Sequence, residues 1–152
     1  MIMEFGNLGV GRVPATNKIE IQGTASKNSA GSWLANSDSR LKKQIKTLDS
    51  KTMLDKVLSM RGVSFNWDDD VTGYDRPVGD QIGFIAQDLQ KLWPNKVSSD
   101  AQGYLQTAYG DFDPVFVEAI KAQQEIIKGL ESEVTTLKEE LRQIKDLLQN
   151  KD

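Results

Sequence analysis

The sequence predicts an α+β protein: a small mixed helix and strand domain, preceded by a glycine-rich β segment and followed by a long C-terminal helix that pairs with other helices. Three observations carry this. Apolar residues recur with heptad spacing from Phe116 onward, short strand and helix patterns alternate between turn residues before it, and residues 1–36 hold one alternating stretch among small polar residues.

In the first segment, Gly6, Gly9, Gly11, Gly23 and Gly31 punctuate the chain, and Lys18-Ile19-Glu20-Ile21-Gln22 alternates as a short strand does. The segment has too few large apolar residues for a core of its own, so it is expected to pair with another part of the protein or with copies of itself. Composition changes abruptly at Ser37-Asp38-Ser39-Arg40-Leu41-Lys42-Lys43-Gln44-Ile45-Lys46. A short helical piece is expected from about Ser39. A second runs from Ser50, where Met53, Leu54, Val57 and Leu58 form one apolar stripe. Val63 to Trp67 reads as a packed strand face, and the acidic Asp68 to Asp80 as an exposed loop. Three adjacent carboxylates, Asp68, Asp69 and Asp70, read as solvated charge rather than a metal site. Gln81 to Pro94 looks like a strand turning into a helix that Pro94 ends, with Phe84, Ile85, Leu89, Leu92 and Trp93 as core. Lys96-Val97 and Tyr104-Leu105-Gln106-Thr107 flank a turn-rich stretch and predict a hairpin.

The long helix is the clearest pattern. Ile120, Ile127, Val134, Leu141 and Leu148 fall at heptad position a, and Phe116, Gln123, Leu130, Leu137 and Ile144 at d; only Gln123 is polar. Asp113-Pro114 suits an N-cap followed by proline at the first helical position. A rod of roughly 50 Å with a narrow apolar seam is seldom satisfied inside so small a chain, so self-association is expected. Glu133 and Glu140 at g precede Lys138 and Lys145 at e by five residues, the charge pattern of a parallel, in-register bundle. The mixture of Ile, Val and Leu leaves the number of strands open.

Composition narrows the chemistry. The 152 residues include no histidine and no cysteine, which removes the usual general base, the thiolate nucleophile, disulfides and Cys-ligated metal. Nineteen basic against twenty-two acidic residues give a net charge of −3, which argues against broad attraction to nucleic acid or anionic membrane. The opening Met1-Ile2-Met3-Glu4 lacks the features of a signal peptide, and no apolar run approaches a membrane span. No phosphate loop or dinucleotide fingerprint is present, and no cofactor or metal is expected.

Any catalysis must then rest on hydroxyls, lysine or carboxylates, which makes Ser37 and Lys42 a candidate dyad. The spacing sets a condition. Five residues of regular helix turn through about 500°, leaving the side chains roughly 140° apart, so the pair meets only if Ser37 lies outside a helix capped by Asp38 or Ser39. That arrangement would bring the Asn36 carbonyl near N–H groups at a helix N-terminus, a possible oxyanion site. Lys42 works as a base only when neutral, which calls for burial or cationic neighbours such as Lys43 and Arg40. The ordinary alternative is that Ser-Asp-Ser caps a helix whose basic side chains are solvated.

Taken together, Ser37-Asp38-Ser39-Arg40-Leu41-Lys42, Gly83-Phe84-Ile85-Ala86-Gln87-Asp88 through Trp93-Pro94, and Tyr104-Leu105-Gln106-Thr107-Ala108-Tyr109 leading into the heptad helix resemble one family. It is the C-terminal intramolecular chaperone auto-processing domain of endosialidase-type phage tail spikes and fibres. The resemblance implies a homotrimer that guides folding of a preceding β-rich spike and then cuts itself off. Carried over, it makes Asn36-Ser37 the scissile bond, Ser37 the nucleophile, Lys42 the base, and Asp38 and Arg40 supporting positions. It further implies three parts: residues 1–36 as the end of the spike stalk, where strands from three chains would interleave, 37–112 as the auto-processing domain and 113–152 as the trimerisation helix. The domain would act in the host cytoplasm during phage assembly, leaving the released spike in the virion tail. The loop around Tyr74 and Pro77 could embrace the folding spike. The alternative is a non-catalytic trimerisation clamp of a fibre or adhesin stalk.

Overall fold

A computed structural model describes residues 2–4, 6–15, 17–22, 28, 35–68, 70, 76–108 and 112–150. It is a mixed helix and strand structure that divides into two compact units, residues 1–46 with 60–108, and 47–59 with 109–152.

The first unit begins with a three-stranded sheet of β1 (Ile2–Glu4), β2 (Asn7–Val10) and β3 (Ile19–Ile21). β1 and β2 are antiparallel; β2 and β3 are parallel, with Leu8 opposite Ile19 and Val10 opposite Ile21. β3 is the strand expected from its alternation, but its faces are reversed. Glu20 is 8% exposed while Ile19 is 61% and Ile21 41% exposed. The cause is local hydrogen bonding: the Glu20 carboxylate accepts the Ala15 N–H at 3.0 Å and the Asn17 N–H at 2.7 Å, and pairs with Arg12 at 3.2 Å. Three partners make a buried carboxylate tolerable. The loop it holds passes so close to β2 that a side chain on Gly9 would strike the Arg12 carbonyl and the Pro14 ring.

Further along this unit, β4 (Gly62–Phe65) and β5 (Gln81–Phe84) form an antiparallel pair with Val63 opposite Gly83. β4 stops short of Trp67, which is exposed rather than packed on a strand face; Phe65 meets it edge-on at 5.1 Å and the Arg76 guanidinium lies 4.4 Å over its ring. The loop expected over 68–80 is described only in part, and Asp69 and Tyr74 lie outside the described residues. β5 leads into α2 (Ala86–Leu92), and Pro94 opens a 3-10 turn (Pro94–Lys96) where the helix ends. The hairpin of β6 (Val97–Ser99) and β7 (Leu105–Thr107) follows as expected, its turn tied by Asp100, whose carboxylate accepts the Gln102 and Tyr104 N–H groups at 2.9 Å. Leu89 and Trp93 are buried; Phe84, Ile85 and Leu92, also expected in the core, are half-buried.

The second unit pairs α1 (Ser50–Leu58) with the start of α3 (Asp113–Gln149), a helix of 37 residues. Asp49 caps α1 by accepting the Thr52 N–H at 2.8 Å, and the Ser50 hydroxyl donates to Glu118 at 2.7 Å. Met53, Phe112, Val115 and Ala119 form the buried core. α3 begins one residue earlier than expected, at the expected cap itself: Asp113 is already helical and Phe112 holds the capping position without a side-chain bond.

The buried positions of α3, Val115 and Ala119, lie at heptad positions c and g, apart from the a and d stripe. Ile120, Ile127, Leu130, Val134, Leu137, Leu141, Ile144 and Leu148 are between 41% and 63% exposed in the single chain. On the outer side, Glu118–Lys121, Glu125–Lys128 and Glu139–Arg142 pair three residues apart at 2.6 to 2.9 Å. With Ile120 at a, these are f-to-b pairs, opposite the seam. No helix among the described residues is long and apolar enough to cross a membrane.

Candidate active site

Ser37 and Lys42 sit in a stretch, residues 35–49, that is exposed at every position and holds little regular structure. The helix expected from Ser39 is a single 3-10 turn, Ser39–Leu41. Asp38 is its N-cap in extended conformation (φ −61°, ψ 134°), so Ser37 lies outside the turn, as the spacing demands. Lys42 leaves the turn extended (φ −118°, ψ 146°), and Gln44, two residues on, takes the left-handed conformation with φ 53°.

This path brings the two candidates together. Lys42 Nζ donates to Ser37 Oγ at 2.7 Å. A hydroxyl oxygen hydrogen-bonded to an amine at that distance has the geometry of a nucleophile and its base.

Asp38 and Arg40 organise the turn between them. Asp38 Oδ1 accepts the Arg40 N–H at 2.8 Å, and the Arg40 guanidinium grips the same carboxylate through Nε, at 3.1 and 3.2 Å, and through Nη2 at 2.8 Å. The Arg40 side chain, and after it the Arg40 N–H, hold the Asp38 carboxyl below the usual carboxylate range. The same contact raises Arg40 above its ordinary value.

Two expectations about the surroundings are corrected. The first concerns the oxyanion donors. Three N–H groups here are already taken: Arg40 by the Asp38 carboxylate, Leu41 by the Asp38 carbonyl at 3.0 Å, and Lys42 by the Ser39 carbonyl at 3.1 Å. A one-turn 3-10 segment closes its own hydrogen bonds and leaves them no free role. The second concerns Lys42, which is exposed in the single chain, with Arg40 committed to Asp38. Exposed too are Leu41, Ile45 and Leu48, at 68%, 68% and 40%. Neither the reversed face of β3 nor the commitment of the turn's N–H groups had a signal in residue types, since both depend on which backbone groups the chain brings within reach.

The Gly83 to Asp88 motif has a structural part in its own unit. Asp88, in the first turn of α2, accepts from Arg61 at 2.7 Å and from Lys91 at 3.2 Å, tying the approach to β4 to the helix. The Arg61 contact, then Lys91, holds its carboxyl below the ordinary value. Among the described residues no group of three acidic side chains could hold a metal ion.

Comparison with curated proteins finds no match. A family model, by contrast, matches from Ser37, the residue on the far side of the expected scissile bond, through Ser98; the third motif, Tyr104 to Tyr109, and the heptad helix lie beyond it. Over residues 37–98 the chain matches the model of the peptidase S74 family, described as the chaperone of endosialidase.

Proposed function

We propose that this chain trimerises through α3, assists folding of the β-rich segment that precedes it, and then cuts its own Asn36-Ser37 bond with Ser37 as nucleophile and Lys42 as base. The hydrogen bond of 2.7 Å between Lys42 Nζ and Ser37 Oγ carries the reading. The family of residues 37–98 supports the chaperone role, and its peptidase name supports the cleavage. The exposed seam of α3 supports assembly, since its outer charges pair within the helix while no ion pair within the chain engages Glu133, Lys138, Glu140 or Lys145 among the described residues. Those four are free to pair between parallel copies.

Each step balances. Neutral Lys42 takes the proton of Ser37 Oγ, which attacks the Asn36 carbonyl carbon. The C–N bond breaks as the lysine ammonium returns the proton to the departing Ser37 amine, leaving an ester between the Asn36 acyl group and Oγ. Water then hydrolyses the ester, giving an Asn36 carboxylate and a new N-terminus at Ser37. Adjacent residues make the attack unimolecular, with an entropic advantage. The reaction turns over once. Lys42 needs a drier environment than the single chain gives it, and neighbouring copies lying over Leu41, Ile45 and Leu48 would provide one. Cleavage thereby reports assembly. In this reading the domain works in the host cytoplasm during phage assembly and the released part goes to the virion tail.

A second reading, a non-catalytic trimerisation clamp, is favoured by the exposure of Lys42. The two separate on the state of Ser37→Ala and wild type after expression. Self-cleavage predicts a wild type cut before Ser37 and an intact variant; a wild type that stays whole as an assembled oligomer leaves the clamp.

A further inference from the structure

We infer that the Asp38–Arg40 pair is a positioning latch, which sets the Ser37–Lys42 geometry from within residues 37–42. The inference rests on the assignment of Ser37 and Lys42 proposed above.

Side chains five residues apart do not meet on a regular helix, so the backbone between them must fold back by some other path and be held there. Among the described residues, the hydrogen bonds that hold it lie inside the segment. The Asp38 carboxylate caps the turn through the Arg40 N–H, the Asp38 and Ser39 carbonyls take the next two N–H groups, and the Arg40 guanidinium returns to the same carboxylate with three contacts of 2.8 to 3.2 Å. No buried residue lies between 35 and 49 to fix the path by packing. Polar contacts are therefore the available restraint.

The pair is ill-suited to stabilising the fold, because Arg40 is 86% exposed and a surface ion pair contributes little to stability. Its use lies in geometry. A planar fork bound to a carboxylate fixes direction as well as distance, which a single ammonium cannot do. Because the fork is spent on Asp38, Arg40 acts through the backbone of the turn and not as a free charge beside Lys42. It is a positioning residue.

The test uses the full chain made in a cell-free pulse, with cleavage followed in time across a range of pH and the oligomeric state measured in parallel. Arg40→Ala is expected to assemble as wild type does and to cleave roughly 10- to 100-fold more slowly, the loss typical of a misplaced reacting group. The slowing should be uniform, leaving the shape of the pH profile unchanged. Asp38→Asn keeps an oxygen for the Arg40 N–H but loses the charge that binds the fork, and should also slow the cut; Arg40→Lys, with one contact in place of the fork, should recover only part of the rate. Cleavage of Arg40→Ala at the wild-type rate overturns the latch. So does a pH profile that moves, since that would mean Arg40 acts by its charge on the base. If Arg40→Ala fails to assemble, Arg40→Lys decides: a wild-type rate overturns the latch and a slow one supports it. A Ser37→Ala chain that is still cut would instead remove the dyad assignment, whatever the Arg40 variants do.

Discussion

Ser37 and Lys42 meet because Asp38, the residue between Ser37 and the turn, is extended and the turn that follows is short. Substitution tests this. Ser37→Ala and Lys42→Ala should each leave a full-length chain that still assembles, seen as one uncut band on a denaturing gel and an unchanged sedimentation profile; efficient cutting of either would contradict the dyad. At the same scale, the carboxylates of Asp38, Asp49, Asp88 and Glu118 are all held below their ordinary values of 3.8 and 4.5 by hydrogen bonds to Arg40, Thr52, Arg61 and Lys121. A carboxyl depressed on folding contributes stability above its ordinary value and loses that contribution as pH falls through the lower, folded one. The melting temperature of the uncut Ser37→Ala chain should therefore hold from neutral pH down to about 5 and fall below about 4. A chain equally stable at neutral pH and at pH 3 would contradict these contacts.

At the scale of elements, α1 and α3 make one unit whose core is small, so each of its apolar side chains matters. Met53→Ala removes a side chain 7% exposed and should cost about 2–5 kcal/mol, read by denaturant unfolding of the uncut chain. A loss well under 1 kcal/mol would mean the α1 contact is not formed in solution. The seam has a separate face and a separate test: Val134→Asp with Leu137→Asp should lower both oligomer content and cleavage. Normal processing by a demonstrated monomer would break the link between them.

Elements also differ in how far they could be read beforehand. α3 was legible almost to the residue, since a heptad pattern is written in the order of apolar positions and needs no distant partner. The β5–α2 unit and the β6–β7 hairpin were legible through turn residues and the proline that ends α2. β1 and β2 were not, because Ile2–Glu4 and Asn7–Val10 are short, and Gly9 breaks the alternation where the loop crosses it. β3 was found with its faces reversed: residue types predict Ile19 and Ile21 inside, and only the bonds from Ala15, Asn17 and Arg12 put Glu20 there. The contact of Ser37 with Lys42 was legible as a condition, Ser37 outside the turn, which the Asp38 cap meets. Its surroundings were not, since hydrogen bonds that a 3-10 turn keeps to itself, and the exposure of Lys42, depend on folded backbone.

For the whole molecule, a chain without histidine or cysteine has few routes to chemistry, and the contact between Ser37 and Lys42, on which the proposal rests, is made inside a single chain. The most direct test of self-cleavage is the intact mass of the purified wild-type product, read with the N-terminal sequence of its fragments. The account predicts a C-terminal fragment beginning at Ser37, with its complement ending at Asn36. A wild-type chain recovered whole from a fully assembled oligomer would contradict it.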